Sequence, residues 1–274
     1  MLCSVKDLEQ FSIGATDGVI GGVRDFYFDD EAWVVRYLVV DAGAWLWARK
    51  VLISTHSIGS LDSASKVLSV SITKEQVKNS PLIDTDKPVS RQHEMAYLSY
   101  YNYPHYWDGT GIWGPTPYPG ITTTDTVDDG AGSGYRERCA ANAQLESEAA
   151  EQRKHDDPHL RSCNAVAGYQ LRAADGDIGH VHGFLLDEKS WALRYLVVET
   201  SSSWSNHLVL ISPEWIDDVS WEERTVTTNL TQQAVKDSPP YDVTAPLDRE
   251  AEARIYRHYR FNPYWRDDMR REVA

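Results

Sequence analysis

The chain has 274 residues, of which 42% are hydrophobic and 25% are charged. This composition is typical of a folded soluble protein, and no apolar run approaches the roughly 18 residues that a membrane-spanning helix needs. The 41 acidic residues outnumber the 27 basic ones, and the net charge of −14 opposes binding to nucleic acid or anionic lipid. We therefore expect no nucleic-acid partner and no membrane insertion.

The N-terminal residues 1–7 lack the basic and then apolar pattern of a secretory signal. The cysteines Cys3, Cys139 and Cys163 are odd in number and show no Cys-x-x-Cys spacing. This usage predicts neither a disulfide framework nor a zinc site. We expect a cytoplasmic protein without a cofactor.

The dominant feature of the chain is an internal repeat with an offset of 158 positions. Residues 33–41, Trp-Val-Val-Arg-Tyr-Leu-Val-Val-Asp, return as residues 191–199, Trp-Ala-Leu-Arg-Tyr-Leu-Val-Val-Glu. Both runs are rich in β-branched and aromatic residues, so they predict a largely buried central strand. The register needs no gap from residue 17 to residue 107, and about a third of the positions are identical, as in a duplicated unit.

The predicted strands follow the same order in both copies. Asp17-Gly18 and Asp175-Gly176 each supply a tight turn, after which a strand leads through an acidic turn into the central strand. Such immediate succession favours antiparallel pairing, because parallel neighbours need a long crossover. A loop containing tryptophan then precedes the remaining strands. We expect these at residues 51–54, 67–72, 209–212 and 225–230.

Each copy then changes to a helical pattern. Thr73 and Gln76 match a capping box at the start of a first helix, which Ser80-Pro81 ends. A second helix is expected to start near Ser90 and, in the second copy, near Asp248. Both copies end in Tyr-Trp.

The repeat divides the chain into a first repeat with a helical tail at residues 1–107, a linker at residues 108–165 and a second repeat with a helical tail at residues 166–274. Residues 109–134 are dense in Gly, Pro, Thr and Asp and predict a flexible linker. Residues 135–154 either form one exposed helix or stay disordered.

The succession Asp-Gly-x-Ile-Gly-x-Val, Trp-x-x-Arg-Tyr-Leu-Val-Val and Val-Leu-Ile-Ser resembles the PRC-barrel family. The tail, from Ser-Pro-x-x-Asp to Tyr-Trp, is similar to stand-alone bacterial members that often carry two copies. The family includes the cytoplasmic part of the photosynthetic reaction-centre H subunit and the C-terminal domain of a bacterial ribosome-maturation factor.

The resemblance implies a mainly β fold with short helices, in which two tandem antiparallel PRC-like β-barrels are each followed by C-terminal helices. It also implies binding or assembly rather than catalysis. Unlike the reaction-centre subunit, this sequence has no transmembrane helix, which disfavours an H-subunit-like role in photosynthetic electron transfer.

Two arginines, Arg36 and Arg194, interrupt the apolar central strands, where an unpaired charge would be costly. We interpret them as structural charges that form ion pairs within each barrel. An anion site at the barrel mouth is the alternative. The candidate acidic partners are Asp29 or Asp41 for Arg36, and Asp187 or Glu199 for Arg194.

Nine aromatic residues lie in loops or at helix ends, where such side chains anchor interfaces. Either they cover the barrel of their own repeat, or the two barrels pair through them as an internal pseudo-dimer. These interaction candidates are Trp45, Trp47, Tyr101, Tyr106, Trp107, Trp204, Tyr259, Tyr264 and Trp265.

His180 and His182 stand two apart on a predicted strand, so both side chains face one side and could share a metal. Their first-copy counterparts are Gly22 and Arg24, and no nearby cysteine completes a ligand set. We therefore predict that no metal is bound. His180 and His182 are the residues that would be its ligands in the alternative.

Signatures of common enzyme classes, including Gly-x-Ser-x-Gly and His-Glu-x-x-His, are absent from the sequence. We therefore expect a non-enzymatic module that binds an unidentified protein through loops and aromatic surfaces. The alternative is a sensor of a small ligand or metal ion at a cleft between the barrels.

Overall fold

The computed structural model describes residues 1–46, 49–81, 91–107, 112–113, 118–119, 160–201 and 207–265. Within these residues the fold is mainly β, with two sheets of seven strands and six short helices. The predicted fold class, mainly β with short helices, is confirmed at this level.

The elements of the first part of the chain lie before residue 102. Their order repeats in the second part, as expected for a duplication. They are β1 (Leu2–Ser4), α1 (Val5–Leu8), β2 (Ser12–Ala15), β3 (Gly18–Asp29), β4 (Val34–Asp41), β5 (Lys50–Ser54), β6 (Ile58–Asp62), β7 (Val67–Val70), α2 (Lys74–Asn79) and α3 (Arg91–Tyr101).

The second part starts at Leu160, within the stretch that the sequence assigns to the linker. Residues 135–154, with their predicted helix, lie outside the described residues. The elements are β8 (Leu160–Ser162), α4 (Cys163–Val166), β9 (Gln170–Ala173), β10 (Gly176–Asp187), β11 (Leu193–Thr200), β12 (Leu208–Ile211), β13 (Ile216–Ser220), β14 (Thr225–Thr228), α5 (Gln232–Lys236) and α6 (Arg249–Tyr259).

The chain forms two compact units. The first-repeat unit consists of residues 10–161 and 189–191, and the second-repeat unit consists of residues 1–9, 162–188 and 192–274. Each unit therefore includes a short piece of chain that belongs to the other repeat. The boundaries predicted from the sequence follow the repeat and not this packing.

Both sheets have the same strand order. It is β5-β4-β3-β2-β7-β6 in the first-repeat unit and β12-β11-β10-β9-β14-β13 in the second-repeat unit. The central pairs β3/β4 and β10/β11 are antiparallel, as predicted, whereas β2/β7 and β9/β14 are parallel.

The two ends of each sheet are linked by a very short connection. β5 and β6 lie at opposite ends of the first sheet, yet only Thr55–Ser57 separates them in the chain. Five spacings of about 4.8 Å would place the ends of a flat sheet about 24 Å apart. Because four residue steps reach at most about 14 Å, the sheet must be strongly curled. Among the described residues β5 and β6 form no ladder, so the sheet is not closed into a barrel.

The seventh strand of each sheet comes from the start of the other repeat. In the second-repeat unit, β1 pairs with β10 and places Leu2 opposite Asp187 and Ser4 opposite Leu185. In the first-repeat unit, β8 pairs with β3. Leu2 and Leu160 are 158 positions apart, so the two repeats exchange equivalent strands.

The central strands form the core, as the sequence predicts. Every residue from Val34 to Val40 is buried, and in β11 the interruptions are Arg194 and Glu199. Trp33, just before β4, has a left-handed φ of 54°, and its counterpart Trp191 has 57°. Such backbone is uncommon for a bulky residue and persists only when its surroundings hold it.

Both predicted Asp-Gly turns are present, and each aspartate also caps a helix. Gly18 and Gly176 have φ values of 136° and 142°. The Lys74 amide at the start of α2 donates to Asp17 Oδ1 at 2.8 Å. The capping box predicted for Thr73 and Gln76 is confirmed. These contacts connect the turn before β3 with the first helix of the tail.

We expect Gly21→Ala to destabilise the first-repeat unit by at least about 2 kcal/mol, because overpacking forces the backbone to shift. A Cβ atom at Gly21 would lie 1.8 Å from the Asp41 carbonyl oxygen. Gly22→Ala is the matched control, since a Cβ at Gly22 meets nothing within 4 Å. Urea denaturation of both variants tests this prediction, and equal losses of stability would contradict it.

Candidate functional site

Each central strand places one arginine within a cluster of aromatic and acidic side chains, which we call the arginine–aromatic site. In the first-repeat unit, Arg36 Nη2 lies 3.0 Å from Asp29 Oδ2, and both side chains are buried. Of the two predicted partners, the structure therefore selects Asp29. Asp41 lies instead 3.4 Å from Arg24 at an exposed position.

Asp29 also stabilises the hairpin between β3 and β4. Its Oδ1 accepts hydrogen bonds from the backbone amides of Glu31 at 3.0 Å and Ala32 at 3.3 Å, while its carbonyl accepts from the Trp33 amide at 2.7 Å. One buried carboxylate thus both compensates the arginine and holds the turn with the left-handed tryptophan.

Aromatic rings enclose the Arg36 guanidinium. Its Cζ lies 3.8 Å from the centroid of the Tyr106 ring and 4.4 Å from that of Trp113. The Tyr106 hydroxyl donates to Glu94 Oε1 at 2.7 Å, and Glu94 on α3 is fully buried. Cation–π attraction to Arg36 holds the helical tail against the sheet, and the buried hydrogen bond fixes Tyr106 to α3 within that tail.

The second-repeat unit repeats this arrangement. Arg194 Nη2 lies 3.9 Å from Asp187 Oδ2, and its Cζ lies 4.1 Å from the centroid of the Tyr264 ring. The hydroxyls of Tyr264 and Tyr195 each donate to Glu252 Oε1 at 3.0 Å. Asp187 is again the hairpin acid, at the position equivalent to Asp29.

Glu252 is buried on α6, and its second oxygen lies 3.0 Å from Arg249 Nη1. Burial raises the pKa of Glu252, although the Arg249 charge and the hydrogen bonds from Tyr264 and Tyr195 oppose this rise. Burial likewise raises the pKa of Tyr195 and of Tyr264, so both hydroxyls stay protonated donors near neutral pH.

His56 borders the site only in the first-repeat unit. Its ring lies 5.4 Å from the Tyr103 ring and 4.9 Å from the Trp113 ring, and its Nδ1 lies 3.2 Å from Ser54 Oγ. Burial, together with the nearby Arg36 charge, lowers the pKa of His56 to about 4. The imidazole is therefore neutral in the folded state at neutral pH.

The described aromatic candidates contact their own unit. Trp45 Nε1 donates to the Ile20 carbonyl at 2.6 Å, and Lys74 Nζ lies 4.5 Å from its ring centroid. These contacts favour the interpretation that the aromatics cover their own sheets. Trp47 and Trp204 lie outside the described residues. Tyr106, Tyr259 and Tyr264 are buried, whereas Trp45, Tyr101, Trp107 and Trp265 are half-buried.

The histidine pair on β10 is exposed. His180 and His182 are both open to solvent, and His182 Nδ1 lies 3.8 Å from Glu199 Oε2. In the first repeat, the positions of His182 and Glu199 are occupied by Arg24 and Asp41, which form an ion pair. Within the described ranges, no group of three or more His, Cys, Asp or Glu side chains is placed to hold a metal ion.

Sequence reasoning missed four contributors to these sites, namely Glu94, Glu252, His56 and Trp113. Arg-x-x-Glu occurs at the same repeat position in both copies, at residues 91–94 and 249–252, and this signal could have revealed the glutamates. Trp113 lies in the predicted linker, so the repeat pattern carries no information about it.

Comparisons with known proteins identify no family. A scan against models of known protein families finds no match. An uncharacterised protein of Deinococcus radiodurans is 34% identical over 102 residues, which cover 31% of this chain and 36% of that protein. The similarity therefore spans about a third of each chain and names no activity. No helix among the described residues is long and apolar enough to cross a membrane.

We expect Arg36→Met to destabilise the first-repeat unit by about 3–5 kcal/mol, because Asp29 would remain buried without its partner. Arg194→Met should destabilise the second-repeat unit less than Arg36→Met destabilises the first, since the Arg194–Asp187 ion pair is longer and partly exposed. Denaturant unfolding of the full chain measures both. The double variant Asp29→Asn/Arg36→Met should recover part of the loss, and no recovery would contradict the assigned ion pair.

We also expect His56 to make the stability of the first-repeat unit depend on pH. The folded pKa of about 4 lies below the ordinary value of 6.5, so the unfolded chain binds the additional proton between these values. The free energy of unfolding should therefore fall by about 3 kcal/mol as the pH decreases through this window.

Denaturant unfolding between pH 4 and pH 7.5 measures this loss. His56→Gln should flatten the slope relative to the unsubstituted chain, whereas the exposed His182→Gln should leave the slope unchanged. Equal slopes for His56→Gln and the unsubstituted chain would contradict the assignment.

Proposed function

We propose that this chain is a non-enzymatic binding or assembly module made of two PRC-like units, each a barrel-like sheet with a helical tail. The motifs of both repeats support the family resemblance. The shared strand order and the short connection between the end strands support a barrel-like curvature. The aromatic tail motif of each copy lies against its own sheet, at Tyr106 and at Tyr264.

The observation that carries this proposal is that each sheet holds an extended segment from outside its own repeat. Leu2–Ser4 pairs with β10 through three successive residues, and Leu160–Ser162 pairs with β3. Addition of a strand to a sheet is a general mode of peptide recognition, in which backbone hydrogen bonds supply affinity and side-chain pockets supply specificity. This fold uses that mode to complete itself.

The arginine–aromatic sites support a role without catalysis. Their polar groups contact one another, as Arg36 does with Asp29 and Tyr106 does with Glu94. Catalysis instead needs charges and donors aimed at a reacting substrate. These internal contacts position the surrounding aromatic residues. Aromatic and arginine side chains dominate binding energy at protein interfaces.

Two measurements on the full chain test this function. We expect no thermal shift above about 1 °C with divalent cations, nucleotides or common metabolites, because a binding module needs no such ligand. We expect a protein captured from the native host to bind the purified chain directly. Trp265→Ala, which removes a half-buried indole from the tail, should weaken that binding, whereas the exposed Lys236→Ala should not.

A shift of several degrees with one compound, without a directly binding protein, would favour the sensor of a small ligand or metal ion and overturn the module. Stoichiometric metal in the purified protein, lost in His180→Gln/His182→Gln, would have the same meaning.

A further inference from the structure

Three exposed arginines form a basic stripe on α6 and at its C-terminal end. Residues three apart are neighbours on a helix, so Arg254 and Arg257 lie side by side, and Arg260 follows at the C-cap. Arg254 has Glu250 at 3.9 Å, whereas no carboxylate among the described residues forms an ion pair with Arg257 or Arg260. The stripe is specific to the second repeat, because the equivalent positions of the first repeat are uncharged. These are Ala96, Ser99 and Asn102.

The hairpin of β13 and β14, in the same unit, carries negative charge. Four of its acidic side chains are exposed, and within the described part of the chain none of them takes part in an ion pair. Arg224 follows this group, as Lys66 does in the first repeat. The second repeat therefore differs from the first by two surfaces of opposite charge. The acidic residues Asp217, Asp218, Glu222 and Glu223 replace Gly59, Ser60, Ala64 and Ser65.

An exposed aromatic ring adjoins both charged surfaces. Phe261 directly follows Arg260 and is 39% exposed, whereas its counterpart Tyr103 is 7% exposed. The Phe261 ring stacks on the Trp215 ring, with centroids 5.2 Å apart and planes at 19°. Trp215 lies two positions before Asp217. The stack therefore joins the end of the basic stripe to the start of the acidic hairpin, and we call these three parts together the Phe261 patch.

We propose that the Phe261 patch is an interface through which the chain pairs with a second copy of itself. This inference goes beyond the proposed function, because the captured host protein is a different partner. A two-fold axis at Phe261 places the basic stripe of each copy opposite the acidic hairpin of the other. The Phe261 ring forms an apolar centre and the charged side chains form the rim, as is typical of protein interfaces.

The presence of both charges favours a second copy over other partners. An acidic protein or a nucleic acid would be attracted by the arginines but repelled by the hairpin, and the reverse holds for a basic partner. A second copy matches both surfaces by symmetry. The net charge of −14 opposes pairing at long range. A Debye length of about 8 Å at physiological ionic strength screens this repulsion, while charges in contact still attract.

Sedimentation velocity of the full chain measures this pairing. We expect a concentration-dependent dimer at micromolar concentrations and physiological ionic strength. Pairing should weaken in about 1 M salt, where the Debye length is about 3 Å. Phe261→Ala should weaken pairing about tenfold, because it removes the apolar centre of the interface.

Charge reversal tests directly whether the occupant is a second copy. Arg254→Glu/Arg257→Glu makes most of the basic stripe acidic, and Asp217→Lys/Asp218→Lys makes the start of the hairpin basic. Each variant alone should pair at least about tenfold more weakly, because like charges then face each other across the interface. An equimolar mixture of the two variants should restore pairing, because each surface of one variant then meets a surface of opposite charge on the other.

The matched control is Lys66→Glu/Lys78→Glu, which reverses two exposed lysines of the first repeat and should leave pairing unchanged. It changes the net charge by the same amount as the reversal of the stripe. Circular dichroism verifies that each variant is folded, and the mixing experiment is decisive even if Phe261→Ala does not fold.

Three results would overturn the inference. The full chain stays monomeric at the highest attainable concentration, or its pairing survives both charge reversals. Alternatively, the unsubstituted chain pairs but the mixture of the two reversed variants does not. None of these results bears on the host protein, whose binding is tested separately through Trp265→Ala.

Discussion

Each unit is organised around one arginine in its central strand, whose positive charge must be compensated by a nearby acidic side chain. Arg36 lies in a strand whose other residues from Val34 to Val40 are apolar or aromatic and buried, and removing its charge from water is costly unless a partner is close. Asp29 supplies the opposite charge and Tyr106 covers the guanidinium. Because Asp29 belongs to the hairpin and Tyr106 to the tail, one compensated charge holds sheet, turn and tail together.

Because the repeats exchange their first strands, each sheet needs a segment from outside its own repeat to be complete. Leu2–Ser4 completes the sheet of the second-repeat unit, and Leu160–Ser162 completes that of the first-repeat unit. A strand of three residues makes few hydrogen bonds and is stable only where a sheet already exists. The long strands β3 and β10 therefore each pair with an added short strand. This property agrees with the proposed role in binding.

Local features were readable from the sequence because they depend on neighbouring residues. The central strands, the Asp-Gly turns and the capping box of Thr73 and Gln76 follow from periodicity and from contacts within a few positions. The need for an acidic partner at Arg36 was also readable. The choice of Asp29 over Asp41 was not, because it depends on how the hairpin turns and on which strand face each carboxylate occupies.

The sequence by itself determined the duplication, the mainly β class and the residues that must be compensated, since repeated apolar patterns and buried charges leave local signatures. Only the tertiary structure decided which chain segments complete each sheet and which side chains enclose each arginine. Trp113 reaches Arg36 across 77 positions of chain, and β1 reaches β10 across more than 170. The physical reason is that neither contact has a local pattern: a three-residue strand and a single tryptophan in a linker acquire their roles only from the surface on which they pack.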